Sequence, residues 1–238
     1  MLSRNTFGDS LSLRGQAGHD DRMPTVTPDR AFGHDVHELS DAPDGAAIGA
    51  AALRLWQRYR ETHRHYHDLR HLDEVLAAIG EIATAATEID LARVRLAACY
   101  HDAVYDPAAT DNEARSAALA GHELSILGVP DGHLDVICRL IIETAAHALP
   151  PSGSPSAWLH DADLWILAAP PERFDQYCRA VRAEYAAVPT DAYATGRSAI
   201  LTEFLDRPAL YAEPSARHDW EPLARSNIAR EIARLDIR

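Results

Sequence analysis

Residues 91–103 read LARVRLAACYHDA, and this stretch decides the fold class. Apolar side chains occupy nearly every side of the helix that it predicts, as expected of a central helix that is buried on all faces. His101 and Asp102 lie at its end. An imidazole and a carboxylate at the end of such an apolar helix are costly to bury unless they are paired or bind a metal ion.

Helical periodicity continues on both sides of this stretch. No alternation of β-branched residues is sustained, so no sheet is predicted. The sequence therefore predicts an all-α protein with one helical domain over residues 45–238. Residues 1–44 are rich in Asp, Gly, Ser, Thr and Pro with little periodicity, and this composition predicts a flexible leader. The other helices are expected near residues 50–59, 67–87, 111–127, 131–147, 156–167, 171–187, 191–205 and 220–235.

The composition and charge indicate which classes of binding partner to expect. The net charge is −13 and no region is strongly basic, so no nucleic-acid polymer is expected as a partner. All 23 basic residues are arginine, so an anionic partner would be bound by guanidinium groups. The three cysteines lie in apolar helical patterns and predict core residues in a reducing compartment. No signal peptide or membrane-spanning run is seen, and the cytoplasm is the expected location.

Histidines and aspartates recur on apolar backgrounds beyond the central helix. His67 and His71 are four residues apart at a predicted helix start and share one face. Asp161 lies in the apolar sequence Leu159-His-Asp-Ala-Asp-Leu164. Each of these residues alone is more simply explained by hydrogen bonding or helix capping. In combination they predict a site for a divalent metal, because imidazole and carboxylate groups are its usual ligands.

The order His71, His101-Asp102, Asp161 resembles the H…HD…D signature of the HD superfamily of metal-dependent phosphohydrolases. The resemblance extends from about Asp44 to the C-terminus and is most specific to a bacterial branch of predicted HD phosphohydrolases without an assigned substrate. The motifs that carry it are Arg64-His65-Tyr66-His67, His101-Asp102-Ala103-Val104-Tyr105-Asp106, Asn112-Glu113, Asp161-Ala162-Asp163-Leu164, Arg182-Ala183-Glu184-Tyr185 and Gly196-Arg197.

The resemblance implies an HD-type helical bundle in which His71, His101, Asp102 and Asp161 hold one divalent metal. Two imidazoles with two carboxylates favour Mn, Fe, Co, Ni or Zn over Mg. Residues two apart on a helix point about 200° away from each other, so only one acid of the Asp161-Ala-Asp163 sequence is expected at the metal. The resemblance favours Asp161, and Asp163 is expected to pair with an arginine or a backbone donor.

Further residues are candidates for catalysis and substrate binding. Some HD hydrolases carry a Glu-Asp pair three and four residues after the HD aspartate. Only the Asp, Asp106, is present here, and it is the candidate base, although its position before a proline fits a turn equally well. His147 is a candidate to donate to phosphate or to bind metal, with helix capping as the alternative. The candidates for substrate binding are His67, Arg70, Arg115, Arg182 and Arg197.

The function implied by the resemblance is hydrolysis of a phosphate ester or anhydride in a small phosphorylated metabolite, with a nucleotide as the first choice. Two alternatives stay open. An HD-type di-iron oxygenase would need His122 and His147 as further ligands. A nucleotide-binding sensor without turnover is suggested by the missing Glu. No membrane partner is expected, and the oligomeric state is open, a homodimer included.

Overall fold

The computed structural model of the protein describes residues 28–236, and all regular structure in this range is helical. This confirms the prediction of an all-α fold. Two short 3-10 helices, Thr144–Ala146 and Leu164–Ala168, interrupt the series. The α-helices are α1 Pro28–Leu39, α2 Gly45–Arg58, α3 Leu69–Ile82, α4 Glu88–Tyr100, α5 Asn112–Ile126, α6 Asp131–Glu143, α7 Pro155–Asp163, α8 Pro171–Glu184, α9 Thr190–Asp206, α10 Pro214–Asp219 and α11 Glu221–Asp236.

Helix α4 is the central element, as the opening stretch of sequence predicts. It contacts α1, α3, α5, α6 and α7. Of its last seven residues, 94–100, all but Arg95 are buried. The buried side chains Leu96 and Tyr100 have no exposed surface. Because α4 runs through the middle of the bundle, its C-terminal end delivers His101 and Asp102 to the interior.

Capping residues fix where the other helices of the site begin. The Asp68 carboxylate accepts hydrogen bonds from the amides of Arg70 and His71, which places His71 in the first turn of α3. Ser154 accepts from the amide of Ala157 and starts α7. Such caps contribute about 1 kcal/mol each to helix stability. Helix α7 packs against α3 and α4, so the ends of these three helices lie together.

A second group of helices closes the bundle over these helix ends. Helix α11 packs against α8, α9 and the 3-10 helix Leu164–Ala168. Asn227 of α11 is buried, and its Nδ2 donates to the carbonyl oxygens of Leu167 and Ala169, both at 2.9 Å. These contacts hold α8 and α9 beside the C-terminal end of α7 and leave a cavity between them.

The prediction of a flexible leader over residues 1–44 is wrong from Pro28 onwards. Helix α1 packs across α2 and α4, and Phe32 is fully buried in the core. The buried Asp35 carboxylate accepts from Nε of Arg95 at 2.9 Å. A narrow apolar stripe at helical spacing, within a polar composition, is enough to seat this helix. Residues 1–27 lie outside the described residues.

Three smaller expectations can also be compared with the structure. The three cysteines, Cys99, Cys138 and Cys178, are free, as predicted. Within residues 28–236, no helix is long and apolar enough to cross a membrane. The short helix α10 was not predicted from the sequence, because its six residues are too few for a periodic pattern.

Candidate metal centre

Two imidazoles and two carboxylates converge where α3, α4 and α7 meet. Nε2 of His71 lies 3.2 Å from Nε2 of His101. Oδ2 of Asp102 lies 3.0 Å from the His101 nitrogen and 3.4 Å from that of His71. Oδ1 of Asp163 lies 3.3 Å from the His71 nitrogen and 3.5 Å from that of His101. One ligand atom from each of His71, His101 and Asp163 lies within 4.8 Å of the other two, so these residues could hold a metal ion.

The backbone sets the tautomer of His101. Its Nδ1 lies 2.7 Å from the carbonyl oxygen of Ala98 and donates to it, which leaves the lone pair of Nε2 directed at the cluster. Proteins usually orient a metal-binding imidazole by such a hydrogen bond from the ring nitrogen that does not bind the metal. Both histidines are 2% exposed, so neither imidazole is solvated by bulk water.

The four groups stabilise one another's charged forms. Burial alone would raise the pKa of Asp102, but the charges of His101 and His67 and the hydrogen bonds with His101 and His71 together hold that pKa well below its usual range. Burial likewise opposes ionisation of Asp163, yet its hydrogen bonds with His101 and His71 lower its pKa. Burial acts to lower the pKa of His101, but the charges and hydrogen bonds of Asp102 and Asp163 together raise it well above the ordinary value. The cluster therefore concentrates negative charge that needs protons or a cation as its partner.

The structure corrects the sequence assignment of the last acid. Asp163, and not Asp161, lies beside the two histidines. Asp161 is fully buried on another side of α7, where its Oδ1 accepts from the amide of Ala212 and its Oδ2 from that of Glu213, both at 2.7 Å. The two carboxylates diverge because residues two apart on a helix face opposite ways. Only one of the two carboxylates faces the histidines, and it is that of Asp163 rather than that of Asp161.

Asp161 instead organises the segment that carries His147. Its Oδ1 lies 2.8 Å from Nδ1 of the buried His160, and Nε2 of His160 lies 3.3 Å from the carbonyl oxygen of His147. Arg207 donates to the same carbonyl oxygen at 2.6 Å. Asp161 is therefore a positioning residue that ties the His147 turn to the segment after α9.

His147 lies at the edge of the cluster in a left-handed backbone conformation. Its φ is 43° and its ψ is 34°, which is unfavourable for a residue other than glycine. Its Nδ1 is buried, has no hydrogen-bond partner among the described residues, and lies 3.9 Å from Oδ2 of Asp163. Burial lowers the pKa of His147, so its ring is neutral near pH 7. A strained residue with a free nitrogen at such a position is typical of functional sites.

The cluster opens into a cavity of about 640 Å³ that lies between the 105–113 segment, α8 and α9. Its inner end is polar and holds His101, Asp102 and Asp163. Another part of its wall is mostly apolar and includes Leu201 and Phe204. This size suits a small organic ligand.

Glu184 fixes the position of His67 at the rim of the cavity. Its Oε1 accepts from the backbone amides of His65, Tyr66 and His67, at 2.8, 2.7 and 3.0 Å. Its Oε2 lies 2.8 Å from Nδ1 of His67 and accepts from the Tyr105 hydroxyl at 3.0 Å. Burial opposes ionisation, but these bonds lower the pKa of Glu184 to about 2. His67 thus keeps Nε2 for a ligand, in agreement with its predicted location at the site.

Arg64 joins the two loops that carry the histidines. It is buried and donates to the carbonyl oxygens of His67, Asp102 and Ala103, at 3.1, 2.7 and 3.2 Å. Its guanidinium group is therefore engaged with backbone and holds the HD doublet against the first histidine loop.

Only one of the four arginines predicted to bind substrate lines the cavity, and it is Arg197. Arg70 is exposed and bonds to Glu74 and Gln176. Arg115 is exposed and lies 3.8 Å from Asp111. Arg182 donates to two carbonyl oxygens after α8 and so ends that helix. Arg70, Arg115 and Arg182 do not line this cavity, and their role in substrate binding stays a prediction.

Two further candidates have mixed outcomes. Asp106 lines the cavity, but its Oδ1 accepts from the amide of Ala108 at 2.9 Å, so it also forms the predicted turn. His122 is exposed on α5 and does not line the cavity, which weakens the di-iron alternative that requires it.

The sequence reasoning missed the roles of Arg64 and Glu184. Both stand in motifs that were noted, Arg64-His65-Tyr66-His67 and Arg182-Ala183-Glu184-Tyr185. The available signal was a charged residue close to the candidate ligands. Most of the backbone groups that Arg64 and Glu184 bond to lie in distant segments of the chain, so residue spacing does not reveal them.

Comparisons of the chain with family models, with curated proteins and with solved structures give no match. The chemistry of the site therefore carries the functional argument.

Proposed function

We propose that the protein is a metal-dependent phosphohydrolase that acts on a small phosphorylated metabolite. The observation that carries the proposal is the buried cluster of two imidazoles and two carboxylates at the inner end of a cavity that also contains an arginine. The resemblance to the HD superfamily supports the same function, with Asp163 in the place first given to Asp161.

The residues present fit a divalent transition metal. His71, His101 and Asp163 supply ligand atoms within 4.8 Å of one another, and Asp102 touches both imidazoles. Mixed nitrogen and oxygen ligands suit Mn, Fe, Co, Ni or Zn better than Mg. The orphaned Nδ1 of His147 beside Asp163 adds a nitrogen that a bound ion or its ligand would satisfy.

A metal bound here would polarise a phosphoryl oxygen and lower the pKa of a bound water. The chain's own residues would do the rest. Arg197 would bind substrate anion, and Glu184 would hold His67 at the rim with Nε2 available to the substrate. Asp106 and His147 line the same cavity and are the candidates to accept a proton from the attacking water.

A phosphate-release assay tests this function. Protein purified without chelator is supplied separately with Mn, Co, Mg, Ni, Fe and Zn, and phosphate is measured over nucleotides and sugar phosphates. The proposal expects release that depends on one of these metals and is lost in Asp163→Asn. The control is Asp131→Asn, because Asp131 begins α6 and does not line the cavity.

Two results would contradict the proposal. One is tight nucleotide binding without phosphate release under any metal, which would favour the sensor alternative. The other is a protein that retains none of these metals.

A further inference from the structure

Unpartnered donors are concentrated in the cavity above the metal centre. Within residues 28–236, six side-chain polar atoms are buried without a hydrogen-bond partner, and three of them belong to cavity-lining residues: Tyr66 Oη, His147 Nδ1 and Arg197 Nε. Buried polar groups nearly always have partners, because desolvating one without a hydrogen bond is costly. Their grouping in one cavity indicates a ligand that brings hydrogen-bond acceptors.

Two of these donors flank Tyr177, next to the metal centre. The Tyr66 ring centroid lies 4.7 Å from that of His71 and 4.5 Å from that of Tyr177. The Arg197 guanidinium carbon lies 5.1 Å from the Tyr177 centroid, and one arm of the group donates to the Tyr177 hydroxyl. That bond leaves Nε of Arg197 free, so both side chains with an unpartnered donor contact Tyr177.

The charge of the cavity limits how many phosphates a substrate can carry. Among the described lining residues there are four carboxylates, those of Asp102, Asp106, Glu113 and Asp163, and one arginine. Arg197 and one divalent cation together do not offset four carboxylates. A polyphosphate chain would therefore meet net negative charge, whereas a single phosphate group can be satisfied by the metal and the two donors.

The outer wall of the cavity suits an apolar or aromatic group. It offers aliphatic and aromatic side chains that a sugar or an extended polar chain would leave without partners. These side chains are Val181, Tyr185, Val188, Tyr193, Ile200, Leu201 and Phe204.

We propose that the substrate is a phosphate monoester with one phosphate group and an aromatic or apolar organic group, and that Tyr66 and Arg197 are its phosphate-binding residues. This rests on the proposed function, since it places the phosphate at the metal centre. A nucleoside triphosphate does not belong to the expected class.

Calorimetric titration with phosphonates tests this, because their carbon–phosphorus bond resists hydrolysis and binding is seen without turnover. The full-length, Mn²⁺-loaded protein is titrated with phenylphosphonate, methylphosphonate and methylenebisphosphonate. Phenylphosphonate should bind at least tenfold more tightly than either of the others. Equal or tighter binding of methylphosphonate or methylenebisphosphonate overturns the assignment of the substrate class.

Variants test the two donors. Arg197→Met should weaken phenylphosphonate binding tenfold or more, since it removes a charged hydrogen bond. The control Arg139→Met changes an exposed arginine that pairs with Glu143 on α6, and it should bind like the unchanged protein. Tyr66→Phe is the sharper test because the hydroxyl has no partner to lose. It should leave the melting temperature unchanged or higher, yet weaken binding about tenfold.

The outcomes separate this inference from the proposed function when release of phosphate from phenyl phosphate is measured in parallel. Metal-dependent release, with binding unaffected by both variants, overturns the inference alone. Binding that depends on Tyr66 and Arg197, without any release, supports the inference and contradicts the hydrolytic function. Loss of binding in Tyr66→Phe accompanied by a lower melting temperature would show that the hydroxyl is structural, and would overturn its assignment.

Discussion

Asp161 and Asp163 are two residues apart at the end of one helix, and their carboxylates serve different parts of the molecule. Asp163 lies 3.3 Å from Nε2 of His71, in the group of residues that could hold a metal ion. Asp161 accepts two backbone amides from the segment after α9 and contacts His160. The Asp163 carboxylate is thus available to a cation, whereas the Asp161 carboxylate is already hydrogen-bonded within the fold.

Asp161→Asn should lower stability without emptying the metal site. An amide has only one acceptor oxygen, so one of the two backbone amides loses its charged partner. The free energy of unfolding should fall by about 2–3 kcal/mol. Urea unfolding at pH 7 measures this loss, and an unchanged midpoint would contradict the positioning role of Asp161.

Glu184→Gln should destabilise the protein in a pH-dependent way. The pKa of Glu184 is lowered from 4.5 to about 2, so its ionised form stabilises the fold above about pH 5, and this contribution is lost as the pH falls towards 2. The variant should be less stable by about 2–3 kcal/mol at pH 7. Denaturant unfolding between pH 7 and pH 3 should show the difference shrinking as the pH falls. A constant difference would show that ionisation of Glu184 does not contribute.

His147→Gly and His147→Ala should differ in stability. Both remove the ring, but only glycine is free of strain at a φ of 43°. The glycine variant should be more stable than the alanine variant by about 1 kcal/mol. Thermal or urea unfolding of the pair checks this, and equal stability would mean that the turn around residue 147 relaxes. Both variants should lose phosphate release if the ring acts at the site.

Phe32→Ala tests whether α1 belongs to the folded domain. The Phe32 ring is fully buried, 5.9 Å from the Trp56 ring and 6.1 Å from the Tyr100 ring between centroids. Its removal should cost about 3–5 kcal/mol. The comparison variant Leu53→Ala changes a side chain that is 63% exposed, and its effect on urea unfolding should be small. Equal losses of stability in the two variants would contradict the packing of α1 in the core.

Much of the fold could be predicted because its signals are local. The unbroken apolar pattern of residues 91–103 predicts a helix that is buried on all sides, and Asp68 and Ser154 mark helix starts by capping them. Helix α1 was missed because a short apolar stripe was hidden in a polar composition. Its anchor, the Asp35–Arg95 pair, joins residues 60 positions apart.

The site was harder to predict because its partners are distant in sequence. The His101-Asp102 doublet and His71 were found from residue type and apolar background. The choice between Asp161 and Asp163 depends on the backbone amides of Ala212 and Glu213, which donate to Asp161. These amides lie about 50 residues later in the sequence, so the local pattern does not reveal them. The role of Arg182 at the end of α8 was not predicted either, although its carbonyl partners, those of Tyr185 and Val188, lie only three and six residues later.

Metal content tests the central claim most directly. The unchanged protein, Asp163→Asn and the matched control Asp161→Asn are each purified without chelator and loaded with Mn²⁺, and metal per chain is measured by mass spectrometry after buffer exchange. The account predicts about one metal in the unchanged protein and in Asp161→Asn, and almost none in Asp163→Asn, since of these two carboxylates only that of Asp163 lies beside the histidines. Full metal in Asp163→Asn together with an empty site in Asp161→Asn would contradict it.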